Sequence, residues 1–142
     1  MDTKKILIIN GPNLNLTGER EAKIYGNISF EDYFELLENK FPEFEISRYQ
    51  SNVEGEIINR LHEADLEVNG IILNAGGYTH TSVAIADAVK AIDTSVVEVH
   101  MSNILAREEF RHVSLIAPNC VGSILGFGLD SYRIALRYFL SR

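Results

Sequence analysis

Lys5-Ile6-Leu7-Ile8-Ile9-Asn10, followed at once by Gly11-Pro12-Asn13, decides the architecture. An unbroken apolar run that stops in a polar loop is the pattern of a strand buried on both faces, as in a parallel sheet. Gly70–Leu73 repeats the pattern and is stopped by Asn74-Ala75-Gly76-Gly77. Phe44–Tyr49 alternates apolar and polar residues and predicts a more exposed strand. Val96–Val99 predicts a fourth strand and Val113–Ala117 a fifth. Helical spacing fills the intervals. Ser29 is placed to cap a helix with Phe30, Phe34, Leu37 and Phe41 on one stripe. Val53–Leu66 carries Ile57, Ile58 and Leu61 at helical spacing, Thr79–Ala91 is a run of small apolar residues, and Ile134–Leu140 closes the chain in a helix that could start as early as Val121. Five strands interleaved with helices predict an α/β protein with a doubly wound parallel sheet.

The 142 residues, 46% apolar and 23% charged, predict one globular domain over 1–142 with a substantial core. No apolar run reaches the ~18 residues of a membrane span, and Ile6–Ile9 is shorter than a signal-peptide core. With Cys120 alone, neither an intrachain disulfide nor a cysteine zinc cluster is available, and a cytoplasmic setting is expected. Thirteen Lys and Arg against twenty Asp and Glu give −7, which argues against nucleic acid as a partner. The acids are concentrated in residues 19–67, with thirteen acids and five bases. An anionic ligand would therefore depend on a few local arginines and backbone amides rather than on the global field.

In open α/β sheets ligands sit beyond the carboxyl ends of the strands. The long connection Gly11–Asn27 leaves the first strand at that edge, and loops of this length inside compact domains usually carry function. Three strands end there in polar residues: Asn10 with Asn13, Asn74 with Gly76-Gly77, and Glu98-Val99-His100-Met101-Ser102. The Gly76-Gly77 turn is either a source of anion-binding amides or ordinary turn chemistry. Glu98 and His100 are two apart on a strand, hence on one face, a spacing that suits a carboxylate orienting an acid–base histidine. His80, Glu98, His100 and His112 could in principle cluster around a metal, but no close ligand pair exists, and His62 belongs to an exposed helix face. Asp87 interrupts an apolar helix, either as an exposed residue or as a group that meets a ligand or another subunit. Arg107 and Arg111 are a solvated charge run or a fork for an oxygen-rich ligand. Arg20 and Tyr25 share the first loop, where a guanidinium would lower a phenol's pKa from ~10 towards that of a usable base. Gly126-Phe127-Gly128 lacks the context of a nucleotide-binding turn and reads as close helix packing. A phosphoacceptor receiver is disfavoured because Asn10 and Asn13 stand where it needs carboxylates.

Four ordered blocks carry a resemblance. Asn10-Gly11-Pro12-Asn13-Leu14-Asn15-Leu16 with Gly18, Arg20 and Ile24-Tyr25-Gly26 resembles the signature of type II 3-dehydroquinate dehydratases. So do Leu73 to Ser82, Glu98 to Asn103, and Arg107 to His112, and the likeness spans Ile6 to Tyr138. It implies a flavodoxin-like three-layer α/β/α fold with a five-stranded parallel sheet of order 2-1-3-4-5. It also implies dehydration of 3-dehydroquinate to 3-dehydroshikimate, a step of aromatic amino acid biosynthesis or of quinate breakdown. No cofactor, no metal and no membrane partner are implied, and a homo-oligomer, a dodecamer built as four trimers, is. Carried over by position, Tyr25 is the base and Arg20 its activator. Asn13 holds a water near the enolate, His100 is the acid, and Glu98 holds its ring. Asn74, Ser102 and the amides of Met101 and Ser102 receive the carboxylate, His80 and Arg111 bind ring hydroxyls, and Asp87 reaches in from a neighbouring subunit. The sequence departs from the family pattern at Ala22, Ala86 and Val113.

Overall fold

The computed structural model describes residues 3–16 and 28–142. The strands are β1 (Lys4–Asn10), β2 (Phe44–Gln50), β3 (Gly70–Asn74), β4 (Val96–His100) and β5 (Gly122–Leu125). The helices are α1 (Phe30–Lys40), α2 (Glu54–Ala64), α3 (Val83–Ala91) and α4 (Asp130–Leu140). All strand pairs are parallel, in the order β2-β1-β3-β4-β5, so the flavodoxin-like order implied by the resemblance is the observed one.

β1 shows why an unbroken apolar run was needed. Ile6 and Ile8 face one layer, with Phe34, Leu37, Tyr132 and Leu136 from α1 and α4. Leu7 and Ile9 face the other, with Ile57, Leu61, Ile85 and Val89 from α2 and α3. A strand covered on both sides has no polar face to show. On β4, Val97 and Val99 point to the α1/α4 layer, which sends Glu98 and His100 to the opposite face.

The helix starts follow local chemistry. Ser29 Oγ accepts from Asp32 N at 3.1 Å, as its capping role requires. Ser82 Oγ caps α3 by accepting from Ile85 N at 2.9 Å, so the helix begins at Val83 and not at Thr79; Gly76–His80 is a separate 3₁₀ turn.

Three expectations are corrected at the C-terminal side. The fifth strand is Gly122–Leu125, not Val113–Ala117. Val113–Ala117 has strand-forming residues, but the Ser114 hydroxyl accepts from Ile116 N and Ala117 N at 3.3 and 3.0 Å, and Pro118 follows in the 3₁₀ turn Ala117–Asn119. That local turn takes the amides a ladder would use. Accordingly, the terminal helix does not extend back to Val121. Gly126 and Gly128, with φ of 96° and 60°, make the turn between β5 and α4, a conformation that disfavours any side chain. Their role is therefore the turn itself, and not close helix packing.

Candidate active site

Beyond the carboxyl ends of β1, β3 and β4 lies a cavity of about 250 Å³. Its wall includes Asn13, Asn74, His80, His100, Met101, Ser102, Arg107 and Arg111, together with Gly76 and Gly77. Most of the residues singled out from the sequence are thus brought to one place. Arg20 and Tyr25 lie outside the described residues, as does Ala22. Asp87 is exposed on α3 and is not part of the wall of this cavity. A larger hollow of about 800 Å³ between α1 and β2 is lined by Phe30, Phe34, Ile46 and Tyr49 among others, with Arg48 paired to Glu31 at 3.2 Å. No histidine lines it.

Glu98 and His100 are brought together on β4. Glu98 is 2% exposed and His100 5%. Their side chains meet with His100 Nε2 3.0 Å from Glu98 Oε2, a close but bent approach that leaves the ring nitrogen without a straight hydrogen bond. Glu98 Oε2 also accepts from Ser114 Oγ at 2.5 Å, and Oε1 accepts from Ser123 Oγ at 2.6 Å. Burial pushes the Glu98 carboxyl up, but His100 and the two serine hydroxyls outweigh it and hold the group below its ordinary value. The carboxylate is therefore ionised behind the histidine. The His80 ring lies over that of His100, with centroids 6.3 Å apart and planes 23° apart. His80 Nδ1 is 2.9 Å from the Val113 carbonyl, which can only accept. Neutral His80 thus carries its proton on Nδ1 and its lone pair on Nε2.

The β1 end is held in an uncommon backbone shape. Asn13 has φ of 69°, a left-handed conformation that asparagine tolerates better than most residues. Its N–H donates to Asn52 Oδ1 at 2.9 Å, and Gln50 Nε2 donates to that same oxygen and to the Gly11 carbonyl, each at 3.1 Å. Tyr78 Oη closes the set by donating to the Asn52 carbonyl at 2.8 Å. Asn74 is fixed from both ends of its amide: Nδ2 donates to Tyr132 Oη at 2.9 Å and Oδ1 accepts from Gly76 N at 3.2 Å. The Gly76 amide is therefore engaged by Asn74 instead of being offered to an anion. Arg111 Nε donates to Glu108, which holds that carboxyl below its ordinary value, and His112 Nε2 sits 3.0 Å from the Arg107 carbonyl.

Among the described residues no group of three His, Cys, Asp or Glu is disposed to hold a metal ion. Nor, among them, is any helix long and apolar enough to cross a membrane. Sequence reasoning missed Ser114, Ser123, Gln50, Asn52 and Tyr132, because each acts through a neighbour brought close only by the sheet. Of the three departures from the family pattern, Ala86 is buried with its carbonyl accepting from Asn119 Nδ2 at 2.9 Å, and Val113 is exposed.

Comparison with known proteins agrees with this arrangement. Residues 4–140 match the family described as Dehydroquinase class II. A 3-dehydroquinate dehydratase from Caldicellulosiruptor bescii is 57% identical over 136 residues, covering 94% of each chain. Another from Fusobacterium nucleatum is 51% identical over 142 residues, covering 96% of each. Among solved structures, a type II dehydroquinase from Butyrivibrio crossotus superposes with a TM-score of 0.89 at 45% identity, covering 95% of this chain and 96% of the other. One from Propionibacterium acnes gives 0.91 at 35% identity, covering 98% and 97%. By family match, identity and fold together, the chain belongs to the class II dehydroquinases.

Proposed function

We propose that this chain is a hydro-lyase that removes water from 3-dehydroquinate to give 3-dehydroshikimate, in the manner of its relatives. The observation that carries the reading is the buried Glu98–His100 pair set into a cavity whose wall also holds Asn74, Ser102, Arg107 and Arg111.

The chemistry divides between two protons. Tyr25, the base that the resemblance implies with Arg20 as its activator, takes the proton from C2 next to the ring carbonyl. The electron pair moves onto the C3 oxygen, and a water held by Asn13 steadies that enolate. As the enolate collapses, the C1–O bond breaks and His100 gives its proton to the departing hydroxyl, which leaves as water. Glu98 orients the His100 ring and stabilises its charged form. Preorganised donors at the developing charge matter as much as the base, and losing one typically costs about 10²–10³ in rate. The substrate carboxylate sits against Asn74, Ser102 and the amides of Met101 and Ser102, while His80 and Arg111 take ring hydroxyls. Asp87, exposed on α3, is assigned to the cavity of a neighbouring copy, and a homo-oligomer of trimers, a dodecamer, goes with that role. A lysine imine is not part of the scheme: Lys4, Lys5, Lys40 and Lys90 are absent from the cavity wall.

The test is direct. Added 3-dehydroquinate should produce a rise in near-ultraviolet absorbance from the conjugated enone, and His100→Gln should suppress it. Well-folded protein that gives no rise would refute the reading. A non-catalytic binder of sugar acids would instead bind the compound and leave it unchanged.

A further inference from the structure

Glu98 receives two hydroxyl donors from segments that do not touch the substrate cavity. Ser123 comes from β5, where strand register sets it directly beside Glu98, and its Oγ lies 2.6 Å from Oε1. Ser114 comes from the irregular segment before the Ala117–Asn119 turn and reaches Oε2 at 2.5 Å. Glu98 Oε2 is the oxygen that approaches His100 Nε2 at 3.0 Å.

We propose that Ser123, with Ser114, is a positioning residue that sets how tightly the Glu98–His100 pair holds its proton. The inference rests on His100 being the acid of the proposed elimination. A buried carboxylate with no donors other than an imidazole concentrates its charge on that imidazole and binds the shared proton hard. Hydroxyl donors spread the charge over three partners and also fix the carboxylate rotamer. The proton then stays on the ring, yet can be passed to a leaving hydroxyl.

The other groups facing the pair do not take over this role. His80 from the Gly76–His80 turn stacks on His100, its Nδ1 bonded to Val113. Cys120, following the Ala117–Asn119 turn, is kept neutral because burial and the charge of Glu98 push its thiol up to about 12. Arg107 and Arg111 lie on the cavity wall, Arg111 paired with Glu108. β5 itself carries no charged residue.

Ser123 is the residue to test, because the Ser114 hydroxyl also serves Ile116 N and Ala117 N and its loss would disturb the turn. Ser123→Val and Ser123→Thr have the same shape on an exposed edge strand that favours β-branched residues, and only threonine keeps the hydroxyl. The pair's titration midpoint is followed by NMR at the His100 ring, with no substrate present. A charge-assisted hydrogen bond lost from Glu98 should raise the midpoint by about half to one pH unit in Ser123→Val, and by less than half of that in Ser123→Thr. With 3-dehydroquinate, the alkaline limb of kcat should move up by the same amount while KM stays within about twofold. A midpoint that is unmoved or lowered in Ser123→Val, or raised equally by both substitutions, overturns the proposal. Because the NMR measurement needs no turnover, its failure is separate from failure of the dehydration assay, which would sink the reading of His100 as the acid.

Discussion

Tyr132→Phe tests how far the cavity depends on a side chain outside it. Tyr132 is wholly buried on α4, and its Oη donates to Asn10 Oδ1 at 2.6 Å while accepting from Asn74 Nδ2 at 2.9 Å. One hydroxyl thereby joins the ends of β1 and β3. Phenylalanine keeps the ring, so the edge-on contacts to Phe30 and Phe34, at 5.9 and 5.2 Å, survive. What is lost is a partner for each of two amide groups on Asn10 and Asn74, which are 6% and 3% exposed. Each orphaned buried polar group costs about 1–3 kcal/mol, so roughly 2–6 kcal/mol in all. With an unfolding entropy of ~2.1 cal/mol/K per residue, a chain of 142 residues loses about 3 °C for each kcal/mol. The melting temperature, taken by circular dichroism at one fixed protein concentration so that self-association contributes equally, should fall by roughly 6–18 °C. Asn74 would also lose one of the two bonds that fix which way its amide faces, and KM should rise several-fold with a smaller change in kcat. A variant that melts within about 2 °C of the unsubstituted protein, with unchanged KM, would show that the hydroxyl orders nothing.

Other perturbations have equally definite outcomes. A Cβ at Gly11 would stand 2.5 Å from the Ala75 carbonyl oxygen, backbone against backbone, so Gly11→Ala should lower both the melting temperature and kcat/KM; a normally stable, fully active variant would refute that steric reading. Glu98 is held below its ordinary carboxyl value of 4.5, so its contribution to stability is present above that value and is lost as pH falls through the depressed one. Urea midpoints measured from pH 6 down to 3 should therefore fall less steeply in Glu98→Gln, and identical slopes would contradict the assignment. Tyr25→Phe should nearly abolish turnover while leaving substrate binding, measured by calorimetry, largely intact; retained turnover would remove the phenol from the base role. Asp87→Asn should raise KM, and an unchanged KM would argue against a cavity shared between copies.

The central strands were legible because their environment is uniform: both faces of β1 and β3 are covered, so every residue from Ile6 to Ile9 and from Ile71 to Leu73 had to be apolar. β5 was not legible for the opposite reason. Gly122-Ser123-Ile124-Leu125 has little intrinsic strand preference, and its strand character comes from pairing with Val97–His100, a tertiary fact. Val113–Ala117 had the preference, but the amides of Ile116 and Ala117 go to Ser114 and that of Leu115 to the Thr79 carbonyl. The Glu98–His100 spacing declared its own geometry, since residues two apart on one strand share a face. Its serine donors could not declare theirs. Their distance from Glu98 is set by the β4–β5 register and by a turn, neither of which sequence spacing encodes.

That same layering answers how a chain of net charge −7 makes a cavity for an anion. No Asp or Glu is among the described residues that line the cavity; Arg107, Arg111, His80 and His100 supply its ionisable groups. The buried carboxylate, Glu98, stands behind His100 with its charge directed into Ser114, Ser123 and the imidazole. Most of the other acids stand on α1, α2 and the segments around them, on outer surfaces where water and salt screen them beyond about 8–10 Å. A substrate carboxylate entering at the ends of β1, β3 and β4 therefore responds to the donors within one or two contacts of it. Changes to surface charge on α1 should leave that response nearly unaltered, whereas moving Glu98 by one position along β4 would turn its side chain to the α1/α4 layer and leave His100 without its carboxylate.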